Sequence, residues 1–498
     1  MRAVGRWLGL WWLVAACGGS AGGEGGGERA EAEAPRAPAR KTPVAFSLDL
    51  ASSDWWMQAR VVAEPAPERL EVSVEGGPWT LLRHVTWDVQ VWTHFQALQG
   101  TRVRLRAVHA TGSAVSCDAP YVPGTALPTC TTEGAYATGT SLPTAGYLHT
   151  RGARLYTADG REVRLTGLNW FGFEGPSRVP YGLDRRALGG LLEQVKTLGY
   201  NTLRLPYSND VLREGVYPEP AAVSATLNPE LRGLSTLQVL DRIVAAARAR
   251  GLRIVLDRHR PDISSQSELW YRVDRVREEA AWIEDWKRLV RRYRDEPTVV
   301  GVDLHNEPHG RATWGDGNLD TDWRLAAERA GNAILAENPS LLIIVEGIGQ
   351  YGGQYYWWGG NLRGARDFPV RLDVPGRLVY SAHDYPESVS VEAWFQDKGT
   401  TGYPANLPAV WDAAWGFLVK EDRAPVWVGE LGTKLQTESD RLWLQSLTRY
   451  LVERRVGFAF WSLNPNSSDT GGLLLDDWST VHAGKHSLLA PALAPFFP

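Results

Sequence analysis

Cysteine is nearly absent from this chain, with three in 498 residues. Cys117 and Cys130 stand apart as single residues, without the paired spacing that structural zinc requires, so no metal site is expected. Charge of one sign is lacking too. A net charge of -4 against 22% charged residues gives no reason to expect nucleic acid or another strongly charged partner. No Gly-x-Ser-x-Gly elbow, phosphate loop or dinucleotide fingerprint occurs where strand and helix context would support one, which sets aside acyl transfer and nucleotide chemistry. His305 and His309 flank Glu307 at helical spacing, but the glutamate does not directly follow the first histidine. Pro308 also disfavours the helix that a zincin-like site needs.

Tryptophan is plentiful, at 23 residues, and flat indoles suit both core packing and stacking on the apolar faces of pyranose rings. The chain opens with Arg2 and Arg6, then an apolar run from Trp7 to Ala16 too short to cross a bilayer, which reads as a signal peptide. Val14-Ala15-Ala16-Cys17 resembles a bacterial lipobox, so residues 1–17 are expected to be a lipoprotein signal with Cys17 lipidated. That lipid is the one expected membrane contact, giving an exported protein at the cell surface or outer membrane, or else a secreted one. Residues 18–42, rich in Gly, Ala, Glu and Pro, suit an unfolded tether. Residues 43–130 alternate as strands do and predict a small β-sandwich. Its tryptophans, among Trp55, Trp56, Trp79, Trp87 and Trp92, are candidates for a sugar-binding face or for core packing. Export makes a Cys117–Cys130 disulfide plausible there. Residues 131–146 read as a linker.

From 147 to 498 the rhythm is β-then-α. Eight apolar runs (Leu165–Trp170, Asn201–Tyr207, Leu252–Arg260, Val299–Pro308, Leu341–Gly347, Leu378–Tyr385, Pro425–Gly432 and Gly457–Pro465) alternate with amphipathic stretches such as Thr236–Arg250 and Glu438–Val452. This predicts a (β/α)8 barrel, with the fifth repeat irregular. In such barrels the functional face lies at the C-terminal strand ends. Polar residues gather there: Arg204, His259, His305-Asn306-Glu307-Pro308, His383-Asp384-Tyr385, Gly429-Glu430 and Trp461. Glutamates ending the fourth and seventh strands face one another across the barrel mouth, the pairing that glycoside hydrolysis uses as proton donor and nucleophile. Asn306 is placed to bind a sugar 2-hydroxyl, Arg204 to hold Glu430 ionised, and Tyr385 to orient it. Trp170, Trp314, Trp357, Trp358 and Trp478 are candidates for outer sugar subsites or for packing. Glu346 and Asp384 read as supporting carboxylates. Next to ionised Glu430, Glu307 is expected to have a raised pKa and to govern the basic limb of a bell-shaped rate profile.

Leu168-Asn169-Trp170-Phe171-Gly172-Phe173-Glu174, Arg204-Leu205-Pro206-Tyr207, Asp257-Arg258-His259-Arg260-Pro261-Asp262, His305-Asn306-Glu307-Pro308, His383-Asp384-Tyr385, Gly429-Glu430-Leu431-Gly432 and Phe460-Trp461-Ser462 together resemble the family 5 glycoside hydrolases, nearest to bacterial endo-β-1,4-glucanases. The resemblance runs from about Gly146 to the C-terminus. It implies a retaining enzyme without a cofactor that cleaves internal bonds of β-1,4-glucan. Glu307 would be the acid/base and Glu430 the nucleophile, with Arg204, His259, Asn306, His383, Tyr385 and Trp461 completing the site and Trp461 stacking under the sugar. Leu431 departs from the phenylalanine common after the nucleophile. The expected partner is a polysaccharide, β-glucan or cellulose, and the expected state a monomer. Mannan, xyloglucan or another β-linked glycan remains an alternative substrate, and a non-catalytic glycan-binding surface lipoprotein an alternative role.

Overall fold

The computed structural model describes residues 146–497, apart from 398, 400 and 401, together with eight strand segments between residues 45 and 133. Those segments form two antiparallel sheets, as the alternation predicts. Ala45–Leu50, Trp56–Val62 and Gln90–Gln96 make one; Thr80–His84, Arg69–Val74, Arg102–Val108, Ala114–Pro120 and Cys130–Glu133 make the other. The register sets Cys117 opposite Cys130. The final strand runs three residues past the boundary expected at 130. Cys17 and the tether at 18–42 lie outside the described residues.

Eight parallel strands close into a barrel: β1 (Thr166–Asn169), β2 (Thr202–Ser208), β3 (Arg253–Arg260), β4 (Val299–Asp303), β5 (Leu342–Glu346), β6 (Leu378–Asp384), β7 (Val426–Leu431) and β8 (Gly457–Phe460). Each falls within or one residue beyond an expected run. The runs overshoot at β4 and β8, where the chain leaves the sheet before its functional residues. Helices wrap the outside, so the strands are buried on both faces and read as almost unbroken apolar stretches. The helices start where capping side chains satisfy free amides. Ser235 and Gln238 form a reciprocal capping box on Thr236–Arg248, and Asp274 and Thr437 cap Arg275–Arg292 and Glu438–Arg454. The irregular fifth repeat has a two-stranded ribbon (Gln350–Tyr351 with Gln354–Tyr355) and a 3-10 turn, Arg363–Arg366, between β5 and β6.

Strand alternation explains how an apolar barrel carries a polar site. Val255, Ile344, Val379, Trp427 and Ala459 belong to one buried cluster, which also includes Leu148, Leu155 and Val163 of a small antiparallel sheet. Two residues further along each barrel strand come Asp257, Glu346, Ser381, Gly429 and Trp461. The same inward parity thus passes from an apolar plug to a charged layer to the rim.

Candidate active site

Arg204, on β2, is the centre of the charged layer and has no exposed surface. Nε donates to Asp303 at 3.0 Å, one terminal nitrogen to Asn169 at 3.0 Å and Glu430 at 2.6 Å, and the other to Asn306 at 2.9 Å and Glu346 at 3.0 Å. Those five contacts account for all five N–H donors of a guanidinium. Asp257 lies 3.2 Å from the same group. Burial pushes Asp257 and Asp303 up to about 7, and Glu346 up to about 8, against the pull of Arg204 and His383. The other oxygens of Asp257 and Asp303 are buried without a hydrogen-bond partner, so the layer is acid-rich for the positive charge it holds.

Glu430, ending β7, is faced by donors on both oxygens: Arg204 on one, and the Tyr385 hydroxyl at 2.5 Å on the other. The close approach depends on Gly429, where a Cβ would stand 2.5 Å from Ser381 Oγ and 3.3 Å from His383 Nε2. Glu307 lies beyond the end of β4 with φ +50°, an unfavourable backbone for glutamate held by a 2.7 Å bond from its amide to Glu346. One carboxylate oxygen of Glu307 accepts from His383 Nδ1 at 2.9 Å and the other from Gln266 at 2.8 Å.

His383 joins the two glutamates, with Nδ1 also 3.6 Å from Glu430 and Nε2 3.3 Å from Glu346. Burial alone would depress its pKa, but Glu346, Glu430 and the bonds to Glu307 and Glu346 outweigh it and hold the imidazole well above its ordinary value. Single oxygens of Glu307 and Glu430 lie within 4.8 Å of one another, with a His383 nitrogen inside the same limit. Glu307 departs from expectation. The sequence predicts a raised pKa from the neighbouring Glu430; burial does push it up, but hydrogen bonding and charge from His383, then the bond from Gln266, bring it below the usual glutamate value. The sequence places Glu430 beside it but gives no sign of these two donors.

The remaining expected residues converge on the same place. His259 Nδ1 lies 2.7 Å from Asp257, and burial drives its pKa down to about 4, leaving a neutral ring. Trp461 lies nearly parallel to Phe171 (centroids 5.2 Å, planes 7° apart) and to His259 (5.3 Å, 11°) and lines the cleft over this site. Because arginine can only donate, Asn306 must turn its oxygen to Arg204, which leaves its amide nitrogen for another partner.

A cleft of about 940 Å³ opens over these groups, lined by His259, Asn306, Glu307, Tyr385, Glu430 and Trp461. Trp357 and Trp358 line it as well, Trp358 half exposed and stacked on His309 with centroids 3.7 Å apart. The other three candidate aromatics pack elsewhere. Trp170 and Trp314 are buried, with their indole nitrogens bound to the Tyr181 and Phe368 carbonyls, and Trp478 covers Gly182. A tryptophan in a strand-end loop is ambiguous by sequence, since the loop's own packing decides which side it faces. Asn169, Asp257 and Asp303 were missed, although inward parity on β3 would have found Asp257; on β4 a register shift beside Val300 breaks the count before Asp303. Gln266 sits in a loop with no periodicity to mark it.

Comparison with known proteins agrees with this geometry. Residues 156–467 match the model of the family described as cellulase (glycosyl hydrolase family 5). An endoglucanase of Paenibacillus polymyxa is 48% identical over 355 residues, covering 70% of this chain and 88% of that one. The major extracellular endoglucanase of Xanthomonas campestris pv. campestris is 39% identical, covering 70% and 71%. Among solved structures, an endocellulase from Pyrococcus horikoshii aligns with a TM-score of 0.66 at 36% identity, over 70% of this chain and all of that one (100%). On these grounds the chain belongs to the cellulase family, glycosyl hydrolase family 5.

Proposed function

We propose that the protein is an exported endo-β-1,4-glucanase that works with retention of configuration, with Glu430 as nucleophile and Glu307 as acid/base. The observation that carries the mechanism is the separation of the two carboxylates. Oxygens within 4.8 Å suit direct attack on the anomeric carbon, for which about 5 to 5.5 Å between carboxyl groups is usual, whereas inversion sets the groups about 6.5 to 9.5 Å apart to admit a water. Substrate choice is supported by the relatives named endoglucanase and by an endocellulase neighbour solved with cellotetraose. Export is supported by the relative named extracellular.

In the first step an oxygen of Glu430 bonds to the anomeric carbon as the glycosidic C–O bond breaks, and the proton of Glu307 passes to the departing oxygen. In the second, Glu307 takes a proton from water, the water oxygen bonds to the same carbon, and the ester to Glu430 breaks. Arg204 and Tyr385 hold the Glu430 oxygens in place, so little reorganisation is needed at attack. The free amide nitrogen of Asn306 is available to the sugar 2-hydroxyl, and Trp461 offers its face to the ring.

Reducing-end release from carboxymethylcellulose, β-mannan and xyloglucan by wild type, Glu307→Gln and Glu430→Gln tests both parts. Preferential glucan cleavage, lost by at least roughly a thousandfold in Glu430→Gln, is expected. Cleavage confined to mannan or xyloglucan would overturn the substrate, and inverted product in NMR would overturn the mechanism.

A further inference from the structure

Gln266 is bonded to Glu307, yet it lies in the loop after β3, apart from every expected site position. The loop is held on both sides. Arg272 donates to the Ser265 carbonyl at 2.5 Å and to Asp262 at 3.0 Å, while Ser267 is buried and donates to the Leu269 carbonyl at 2.6 Å. The Glu268 carbonyl accepts the His309 amide at 3.1 Å and its carboxylate pairs with Arg311 at 2.7 Å, joining this loop to the one that carries Glu307. Gln266 itself is half-buried and lines the cleft, so its carboxamide reaches Glu307 from a fixed base.

An acid/base group alternates between anion and acid, and its neighbours must suit both. His383 can only donate to Glu307 while it remains charged, so the oxygen it holds is suited to the anion. A carboxamide has both a donor and an acceptor end, and turning it over exchanges them. We propose, building on the assignment of Glu307 as acid/base, that Gln266 is a positioning residue for proton transfer. Its amide nitrogen steadies the carboxylate when Glu307 is an anion; turned over, its oxygen accepts the hydroxyl of the acid form and holds it at the cleft until the proton turns from that bond to the leaving-group oxygen. The titratable groups around Glu307 are His383 and Tyr385 at the end of β6, Glu346 from β5, Glu430 from β7, Asp257 and His259 from β3, and His309 on its carbonyl; of the two side chains bonded to its carboxylate, charged His383 and Gln266, Gln266 is the one that can reverse its hydrogen-bonding sense without changing charge.

The test measures kcat/KM against pH for wild type, Gln266→Ala and Gln266→Glu on two aryl β-cellobiosides, one with a dinitrophenolate leaving group that needs no protonation and one with phenolate, which does. For Gln266→Ala, the phenyl substrate should lose about tenfold or more at its optimum, with the activated substrate nearly spared. Loss of one donor to the anion should move the basic limb upward by roughly one pH unit. Gln266→Glu, which offers no donor when ionised, should move it further. Equal losses on both substrates, or an unmoved basic limb in Gln266→Ala, would overturn the proposal. Glu307→Ala serves as the control: if it fails to spare the activated substrate, the acid/base assignment falls, whereas a normal control with indifferent Gln266 variants sinks the Gln266 role alone.

Discussion

At the scale of single residues, Arg204 is where charge and geometry depend on each other most. Five donors spread over three carboxylates and two carboxamides cannot be matched by a lysine, which has three donors and no fixed fork. Arg204→Lys is therefore expected to lower kcat/KM by about a hundredfold or more and to cost about 3 kcal/mol or more of stability, since carboxylates would be left buried and unpaired. Near-wild-type kinetics with an unchanged melting temperature would refute this. The lowered pKa of Glu307 has a consequence of opposite sign to the sequence expectation. The acid form is lost earlier as pH rises, so kcat/KM on an unactivated glucan should fall through the acidic range, with its maximum below neutrality. A maximum above pH 8 would contradict it; because Glu307 and Glu430 share His383, the limbs report the pair. The gathering of Arg204, His259, Asn306, Glu307, His383, Tyr385, Glu430 and Trp461 at one end of the barrel was legible because each lies on or just after an apolar run. Gln266 and the fates of Trp170, Trp314 and Trp478 were not, because loop conformation depends on contacts distant in sequence.

At the scale of elements, the end of β6 is the junction to watch. His383 and Tyr385 both touch candidate catalytic carboxylates, and Asp384 between them points the other way, fully buried. It accepts from the Tyr356 hydroxyl, from Trp411 at 3.0 Å and from Trp443 at 2.6 Å, so that the segment Leu407–Trp411 and the helix Glu438–Arg454 are bonded to the strand through one carboxyl group. Both oxygens of this carboxyl are met by donors, and an asparagine would turn an NH2 group onto at least one of them. Asp384→Asn should cost about 2 kcal/mol or more and lower kcat by loosening its two neighbours. Burial raises Asp384 to about 7, against those three hydrogen bonds. The folded state thus holds this proton more tightly than the unfolded chain. Its contribution is complete below the ordinary aspartate value of about 4 and is lost as pH rises toward 7. The melting-temperature gap between wild type and variant should therefore be wider at pH 5 than at pH 8. A gap that widens with pH would show the opposite linkage.

For the whole molecule, the eight strands were legible because burial on both faces erases their polar positions and leaves runs of apolar residues. The fifth repeat was irregular in sequence for a structural reason: after β5 the chain forms a ribbon and a 3-10 turn, which have no 3.6-residue period to detect. The closing pair, β1 with β8, completes a barrel whose plug is capped from below by residues 148–163. Among the described residues, all that form the charged layer and line the cleft lie between 146 and 497. Solved relatives that align over 99% to 100% of their own length cover only 70% of this chain, so a barrel of this kind stands alone in them. A fragment spanning 146–498 is accordingly expected to fold and to hydrolyse soluble glucan within about twofold of the full chain, since kcat/KM depends on groups it retains. Retention on insoluble cellulose is a separate measurement, which asks whether the first 130 residues bind glycan. Unchanged retention would assign those residues a spacing role, and lost retention a binding one. A fragment that folds but has lost soluble-glucan hydrolysis would mean that the N-terminal region completes the cleft.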